Sequence, residues 1–275
     1  MASFSVVSNI SAANAQANLT TTNIGLQRAI TRLSSGYRIN QAGDDAAGLA
    51  LANSYRSTQA ILSQGIRNAN DALSALQIKD GALSNIGTLL DRLATLATQS
   101  ASQASNIDRT SLNNEFADVL GEINREAAQA GLGTGAATAF SVFVSNNSSA
   151  TATDGWVKGT FTLADTTTLG INAQTVDTAA HAATAVAAIS GSTGAVAKLG
   201  QAQSVVGLLE NRLQFATGLA TSQLVSNKAA ESRIRDANIA EESANLTRYQ
   251  ILTQSGIAAL AQANQQSSSV LSLLR

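Results

Sequence analysis

The side chains that usually carry chemistry are few in this chain, and they are poorly placed for it. His181 is the only histidine among 275 residues, there is no cysteine, and 18 Asp and Glu stand against 17 Lys and Arg. A single His cannot supply the H-E-x-x-H spacing of a zinc protease. His181 sits in an Ala-rich stretch without a neighbouring Cys or acidic cluster, so it reads as a solvated or packing residue. Asp44-Asp45 invites a paired-carboxylate reading, but adjacent residues diverge on a helix and acid–base work needs convergent groups. Gly43-Asp44-Asp45-Ala46-Ala47 reads instead as a loop running into a capped helix, where acids suit the positive end of the dipole. Gly131-Leu132-Gly133-Thr134-Gly135 lacks the G-x-G-x-x-G pattern and the P-loop Lys, and is a helix stop. Asn147-Ser148-Ser149 fits a glycosylation sequon in a turn. No metal, cofactor or catalytic residue is expected, and the chain does not read as an enzyme.

The elements around these residues point to assembly. There is no proline, where average usage of about 5% would give roughly a dozen. Proline breaks helix interiors, so its absence suits long uninterrupted helices. Aromatics are 4% of the chain, which leaves aliphatic stripes to supply the burial. A net charge of −1 with 13% charged residues gives no bulk attraction to nucleic acid. The start, Met1-Ala2-Ser3-Phe4, has neither a basic region nor an apolar one of the kind a cleaved signal carries. No apolar stretch approaches the roughly 18 residues of a membrane span, so no membrane insertion is expected. The chain is expected to stay in the cytoplasm or to leave by a route without a cleaved signal.

Leu62, Ile66, Ala69, Leu73, Leu76, Leu83 and Leu90 fall on one heptad lattice, with Ala82, Ile86, Leu89, Leu93 and Leu96 beside it. Two stripes predict a helix packed on two sides, from about 50 to 100. Asp108 caps a second helix marked by Leu112, Phe116, Val119, Ile123 and Ala127. Phe140–Val144 and Trp156–Leu163 predict two strands, with a third near Leu169–Ile171. An Ala-rich helix over 178–190 and a long helix through Val206, Leu209 and Leu213 follow. Both ends, 1–40 and 236–275, read as helices with stripes too thin to fold alone. The fold class is mainly α: a coiled-coil bundle with paired terminal helices and a small β-hairpin. Three parts are expected: 1–40 with 236–275, 41–135 with 177–235, and a β-rich, surface-exposed 136–176.

Before Asp44 there is no carboxylate, only Arg28, Arg32 and Arg38, whereas the C-terminal segment carries Asp236, Glu241 and Glu242. If the ends pair antiparallel with Arg38 near Asp236, Arg32 falls opposite Glu242, within one chain or between neighbours. Opposite charges beside a seam set register more than stability.

Several long motifs, in order, resemble bacterial flagellin. They are Leu33-Ser34-Ser35-Gly36-Tyr37-Arg38-Ile39-Asn40, Gly43-Asp44-Asp45-Ala46-Ala47-Gly48-Leu49-Ala50, Arg67-Asn68-Ala69-Asn70-Asp71, Ser232-Arg233-Ile234-Arg235-Asp236 through Glu242, Gln262-Ala263-Asn264-Gln265, and Val270-Leu271-Ser272-Leu273-Leu274-Arg275. The likeness covers roughly 1–130 and 195–275. It implies a self-polymerising filament subunit for swimming motility, whose terminal helices form an inner tube and whose middle projects outward. It implies the flagellum's own type III export apparatus, a flagellin chaperone, and filament cap and hook-junction proteins as partners, with an extracellular location. The motif residues Leu33, Arg38, Ile39, Asn40, Asp44, Asp45, Arg233, Ile234, Asp236, Leu271, Leu274 and Arg275, with Arg32 and Glu242, would serve assembly. Arg92, Leu96 and Glu115 match positions through which Toll-like receptor 5 detects some flagellins, although Ala94 and Thr95 lack charges seen in strongly recognised members. Many relatives have a Val-Pro where Gln265-Gln266-Ser267-Ser268 stands here. A hook–filament junction protein, which shares such ends, is the alternative. A flagellin with an enzyme in its middle is disfavoured by the short insertion and single His.

Overall fold

The computed structural model describes residues 9–103, 107–133, 139–145 and 155–273, with side chains through residue 265. The elements run α1 (Ile10–Ser35), α2 (Ala46–Ala101), α3 (Arg109–Gln129), β1 (Ala139–Phe143), β2 (Trp156–Thr160), α4 (Thr166–Leu169), α5 (Ala179–Ser190), α6 (Ala195–Arg235) and α7 (Ile239–Leu273). They form two compact units, Met1–Ser57 with Ser226–Arg275, and Thr58–Val225. The division therefore falls inside α2 and α6, away from residues 40 and 236. The sequon at Asn147 and the end of the 131–135 glycine run lie outside the described residues.

The Thr58–Val225 unit has a true core. Leu62, Leu76, Leu83 and Leu90 from one stripe of α2, and Ile86, Leu93 and Leu96 from the other, are all buried. They join Phe116 and Ile123 of α3, Ile189 of α5, and Val206, Leu209 and Leu213 of α6 in a single cluster. Two stripes on one helix bury two sides, and α2, 56 residues long, extends about 84 Å at 1.5 Å per residue. Asp108 caps α3 by accepting from Ser111 N. Its other end stops at Gly131, in the left-handed region at φ 65°, where Leu132 N reaches Ala127 O at 2.7 Å.

The β-hairpin pairs Ala139 with Thr160 through Phe143 with Trp156, antiparallel. It belongs to the same core, because Val144 and Val157 are buried in the cluster and Phe140 and Val142 pack against it; the expected surface-exposed insertion is thus partly interior. The close approach is made at Gly65 of α2, where a Cβ would meet the Val144 carbonyl. The third strand expected at Leu169–Ile171 is absent. Instead Asp165 accepts from Thr167 N and starts α4, and Gly170, at φ 81°, ends it. Asn124 Oδ1 accepts from Thr166 N at 3.0 Å, and Asn113 Oδ1 from Val176 N at 2.9 Å. Two amides of α3 thus hold the 165–176 segment in place of a sheet partner.

By length and composition, 179–235 contains a window apolar enough to cross a membrane, contrary to the sequence reading. The segment is interrupted by the turn Gly191–Gly194, which separates α5 from α6, and its apolar residues Ile189, Val206 and Leu209 line the core.

Gly65→Ala should cost about 1–3 kcal/mol by overpacking and quench the packing of Trp156, read by chemical denaturation with fluorescence. The Asp108 carboxyl is held below its ordinary range, first by the Ser111 hydroxyl and then by the Ser111 amide. A depressed carboxylate contributes stability above its unfolded value that is lost as pH falls through its folded one. Asp108→Asn should therefore flatten the drop in Tm on acidification; an unchanged pH profile would refute this.

Candidate assembly interface

The seam of the terminal unit alternates leucines with mostly smaller residues. On α1 Leu19, Leu26 and Leu33 alternate with Ala15, Thr22 and Ala29; on α7 Leu246, Thr253 and Leu260 alternate with Glu242, Tyr249 and Gly256. These positions recur at alternating steps of three and four and are the half-buried or buried ones of each helix, as a coiled-coil seam requires. The pairing is antiparallel. Asn9 Nδ2 donates to Ala263 O at 3.0 Å, Leu19 packs on Gly256 and Tyr249 on Gly25, and Arg32 Nη1 donates to Glu242 Oε1 at 3.1 Å. The Arg32–Glu242 contact is thus made inside one chain. A Cβ at Gly25 would lie 2.6 Å from the Tyr249 ring, so the ring takes space that a side chain there would need.

Where the pair ends, the two chain segments cross as a short bridge. Tyr37 pairs with Asp236, Arg38 N donates to Arg235 O at 2.7 Å, and Ala237 N to Gly36 O at 2.8 Å. The Arg38 guanidinium donates to Ile234 O at 2.8 Å, and the Arg235 guanidinium lies 4.1 Å from the Tyr37 ring centroid. Gly36, at φ 73°, ends α1 and makes the turn possible.

Several residues expected at an interface between copies are occupied within the chain. Asp44 Oδ2 accepts from Asn40 N and Gln41 N, each at 3.2 Å. Asp45 Oδ1 accepts from Gly48 N at 2.8 Å, which opens α2 and supports the capping reading. Ile39 is buried, 2.8 Å from where a Gly48 Cβ would lie. Asn40 Nδ2 donates to Ser35 Oγ at 2.8 Å, and Asp236 Oδ2 accepts from Ser232 Oγ at 2.5 Å. Leu33 is half-buried in the seam, Ile234 is half-buried and Arg233 is exposed. Leu271 lies in α7 with its side chain outside those described, and Leu274 and Arg275 lie outside the described residues.

Arg92 and Glu115 form an exposed ion pair, with Arg92 Nε donating at 2.9 Å. Leu96, at 1% exposure, faces the core and offers no side-chain surface to a receptor, because it belongs to the second stripe of α2. His181 Nδ1 stands 2.7 Å from Asp177 Oδ1, an exposed pair one helical turn apart that the sequence reading did not name. The His181 ring holds the Asp177 carboxyl below its usual range. Among the described residues no three His, Asp or Glu side chains converge on a metal position.

What the interface offers is unsatisfied apolar surface. In α1 only Ala29 is buried, and among the described side chains of α7 only Glu242 is. Ile10, Ile24, Ile30, Ile251, Leu252 and Ile257 are all exposed. These side chains leave apolar area of the pair in contact with water. The sequence pattern located the stripes; it did not reveal Gly25 and Gly256, whose role is to let another side chain sit against the backbone.

Arg32 and Glu242 side chains retain 30% and 11% exposure, so solvent screens the pair in part. A double-mutant cycle with Arg32→Ala and Glu242→Ala, read on the critical concentration for self-association, should show a coupling of about 0.5–1 kcal/mol. Additive single effects would remove the pair's role.

Residues 6–134 match the family model of the bacterial flagellin N-terminal helical region, and residues 189–274 that of the C-terminal helical region. The chain is 34% identical over 270 residues to the flagellin of Halalkalibacterium halodurans, covering 97% of this chain and 98% of that protein. It is 35% identical over 283 residues to the flagellar filament 33 kDa core protein of Treponema phagedenis, with the same coverage. The crystal structure of Bacillus cereus flagellin aligns with a TM-score of 0.46 at 28% identity, covering 60% of this chain and 94% of that one. With both terminal regions matched and relatives aligned from end to end, the chain belongs to the bacterial flagellin family.

Proposed function

We propose that this chain is a structural subunit that polymerises into a bacterial flagellar filament, and that its terminal helices order as copies assemble. The observation that carries the reading is the mismatch on the α1–α7 pair between length ordered and surface buried. Holding each backbone residue in place costs on the order of 1–2 kcal/mol. A pair of helices with one buried side chain on each, among those described, recovers little of that. Burial of the exposed isoleucines against neighbouring copies offsets the remainder, which ties ordering to polymerisation. Contacts between different faces of identical copies do not close on themselves and generate an open helical array.

The Treponema phagedenis relative is named a flagellar filament core protein and that of Halalkalibacterium halodurans a flagellin, which favours a filament subunit over a hook–filament junction protein. A subunit of this kind works outside the cell for motility. The same reading brings the type III export apparatus, a flagellin chaperone and the filament cap as partners. Toll-like receptor 5 enters as a partner through Arg92 and Glu115, whose charged groups are accessible; Leu96 would act only by packing beneath them.

Full-length protein seeded at raised salt should give long uniform filaments by negative-stain electron microscopy. A chain ending at residue 235 should give none, while circular dichroism still reports the helices of the Thr58–Val225 unit. Filaments from the shortened chain would overturn the terminal-helix mechanism. Failure of the full chain under all conditions would overturn the filament reading.

A further inference from the structure

The two sides of the α1–α7 pair are not alike. On one side a hollow of about 170 Å³ opens along the seam, lined by Asn18, Leu19, Thr22, Leu252, Ser255, Gly256 and Ala259. Gly256 brings no side chain to an inward position, with Leu19 Cδ1 3.1 Å from where its Cβ would lie, and Ser255 and Ala259 are too short to roof the space. No charged side chain lines it. A charged occupant would lose its hydration without a partner there, and a branched aliphatic side chain would not.

The seam repeats every seven residues, so positions seven apart share a side. Leu252 and Ala259 flank the seam on the hollow side. Gln16, Asn23 and Ile30 of α1, with Gln250 and Ile257 of α7, flank it on the other side. All five are exposed and uncharged, with Ile30 at 50% and Ile257 at 55% exposure. One side therefore has an uncharged hollow floored by Leu19 and Gly256, and the opposite side an uncharged ridge with two isoleucines. Within a chain the two cannot meet.

We propose that the hollow over Gly256 is filled by the isoleucine-bearing ridge of a second copy of this chain. The proposal rests on the filament reading and names the contact. Two copies joined hollow to hollow would leave both sets of isoleucines in water. Hollow to ridge buries one of each per copy and leaves one of each free, which is the condition for growth without closure.

The chain has no cysteine, so single cysteines report the two sides. Ala259→Cys and Gln250→Cys, the second on the ridge but not one of its isoleucines, should each react with a maleimide in the monomer and at least tenfold more slowly in the filament. Ala259→Leu fills the hollow from an exposed position and should raise the critical concentration at least tenfold, with unchanged helicity by circular dichroism. Reaction of either cysteine in the filament at the monomer rate would overturn the contact, and a protected hollow with a reactive ridge would mean that another surface covers it. Native polymerisation of Ala259→Leu would overturn it as well. Failure of the unsubstituted chain to polymerise would instead remove the filament reading itself.

Discussion

Between α1 and α7 the inward leucines of α1 stand beside alanine and threonine, and Leu260 of α7 beside Gly256, and this choice sets the depth of everything around it. Small residues let two helix backbones approach closely, as Tyr249 over bare Gly25 and Leu19 over Gly256 demonstrate. The same residues bury little apolar area when they do, and area removed from water is the main stabilising term. The terminal pair is thus narrow and wet over most of its circumference. The Thr58–Val225 unit works the opposite way: α2 carries two full stripes, and Leu83, Ile86, Leu90 and Leu93 all lie in the interior. One part of the molecule is finished as it stands, and the other is designed around surfaces that other copies supply.

Register in the thin seam comes from its polar margin. The Gly36–Arg38 segment and Arg235–Ala237 exchange backbone hydrogen bonds, and Arg235 stacks on Tyr37. Six residues earlier, Arg32 meets Glu242. Alanine-rich stripes alone would slide by a heptad at small cost, whereas these polar contacts hold only in one alignment.

Much of this was legible in the sequence. The heptads of α2, the Asp108 and Asp45 caps, the Gly131 stop and the two strands follow from local rules. The Arg32–Glu242 contact followed from a segment with no carboxylates facing one that has three. What could not be read were features that depend on distant chain. Asn113 and Asn124 look like ordinary surface amides of α3 until residues 165–176 arrive to use them, and that capture is what replaces the expected third strand by α4. Gly65 reads as a blemish in a helix, and its purpose is visible only with the Val144 carbonyl against it. Leu96 matches a receptor position by motif and also belongs to the second stripe of α2, and in the structure the stripe decides its orientation, toward the core. Asp44 and Asp45, quoted as part of a motif, are consumed by local hydrogen bonds.

The contacts that define the terminal pair join residues far apart along the chain: 210 positions separate Arg32 from Glu242, and 254 separate Asn9 from Ala263. Closing so long a loop is entropically unfavourable until the intervening chain has condensed, and pairing of high contact order forms late. The Thr58–Val225 unit, with its own core, shortens the gap when it folds. The terminal seam is therefore the last part of the molecule to form, and it requires both ends. A chain that is still being made, or one that has lost its last residues, cannot present the surface to which another copy adds. In a growing polymer, where one defective unit would stop every later addition, pairing residues 9–35 with residues 239–263 makes admission depend on both segments being present.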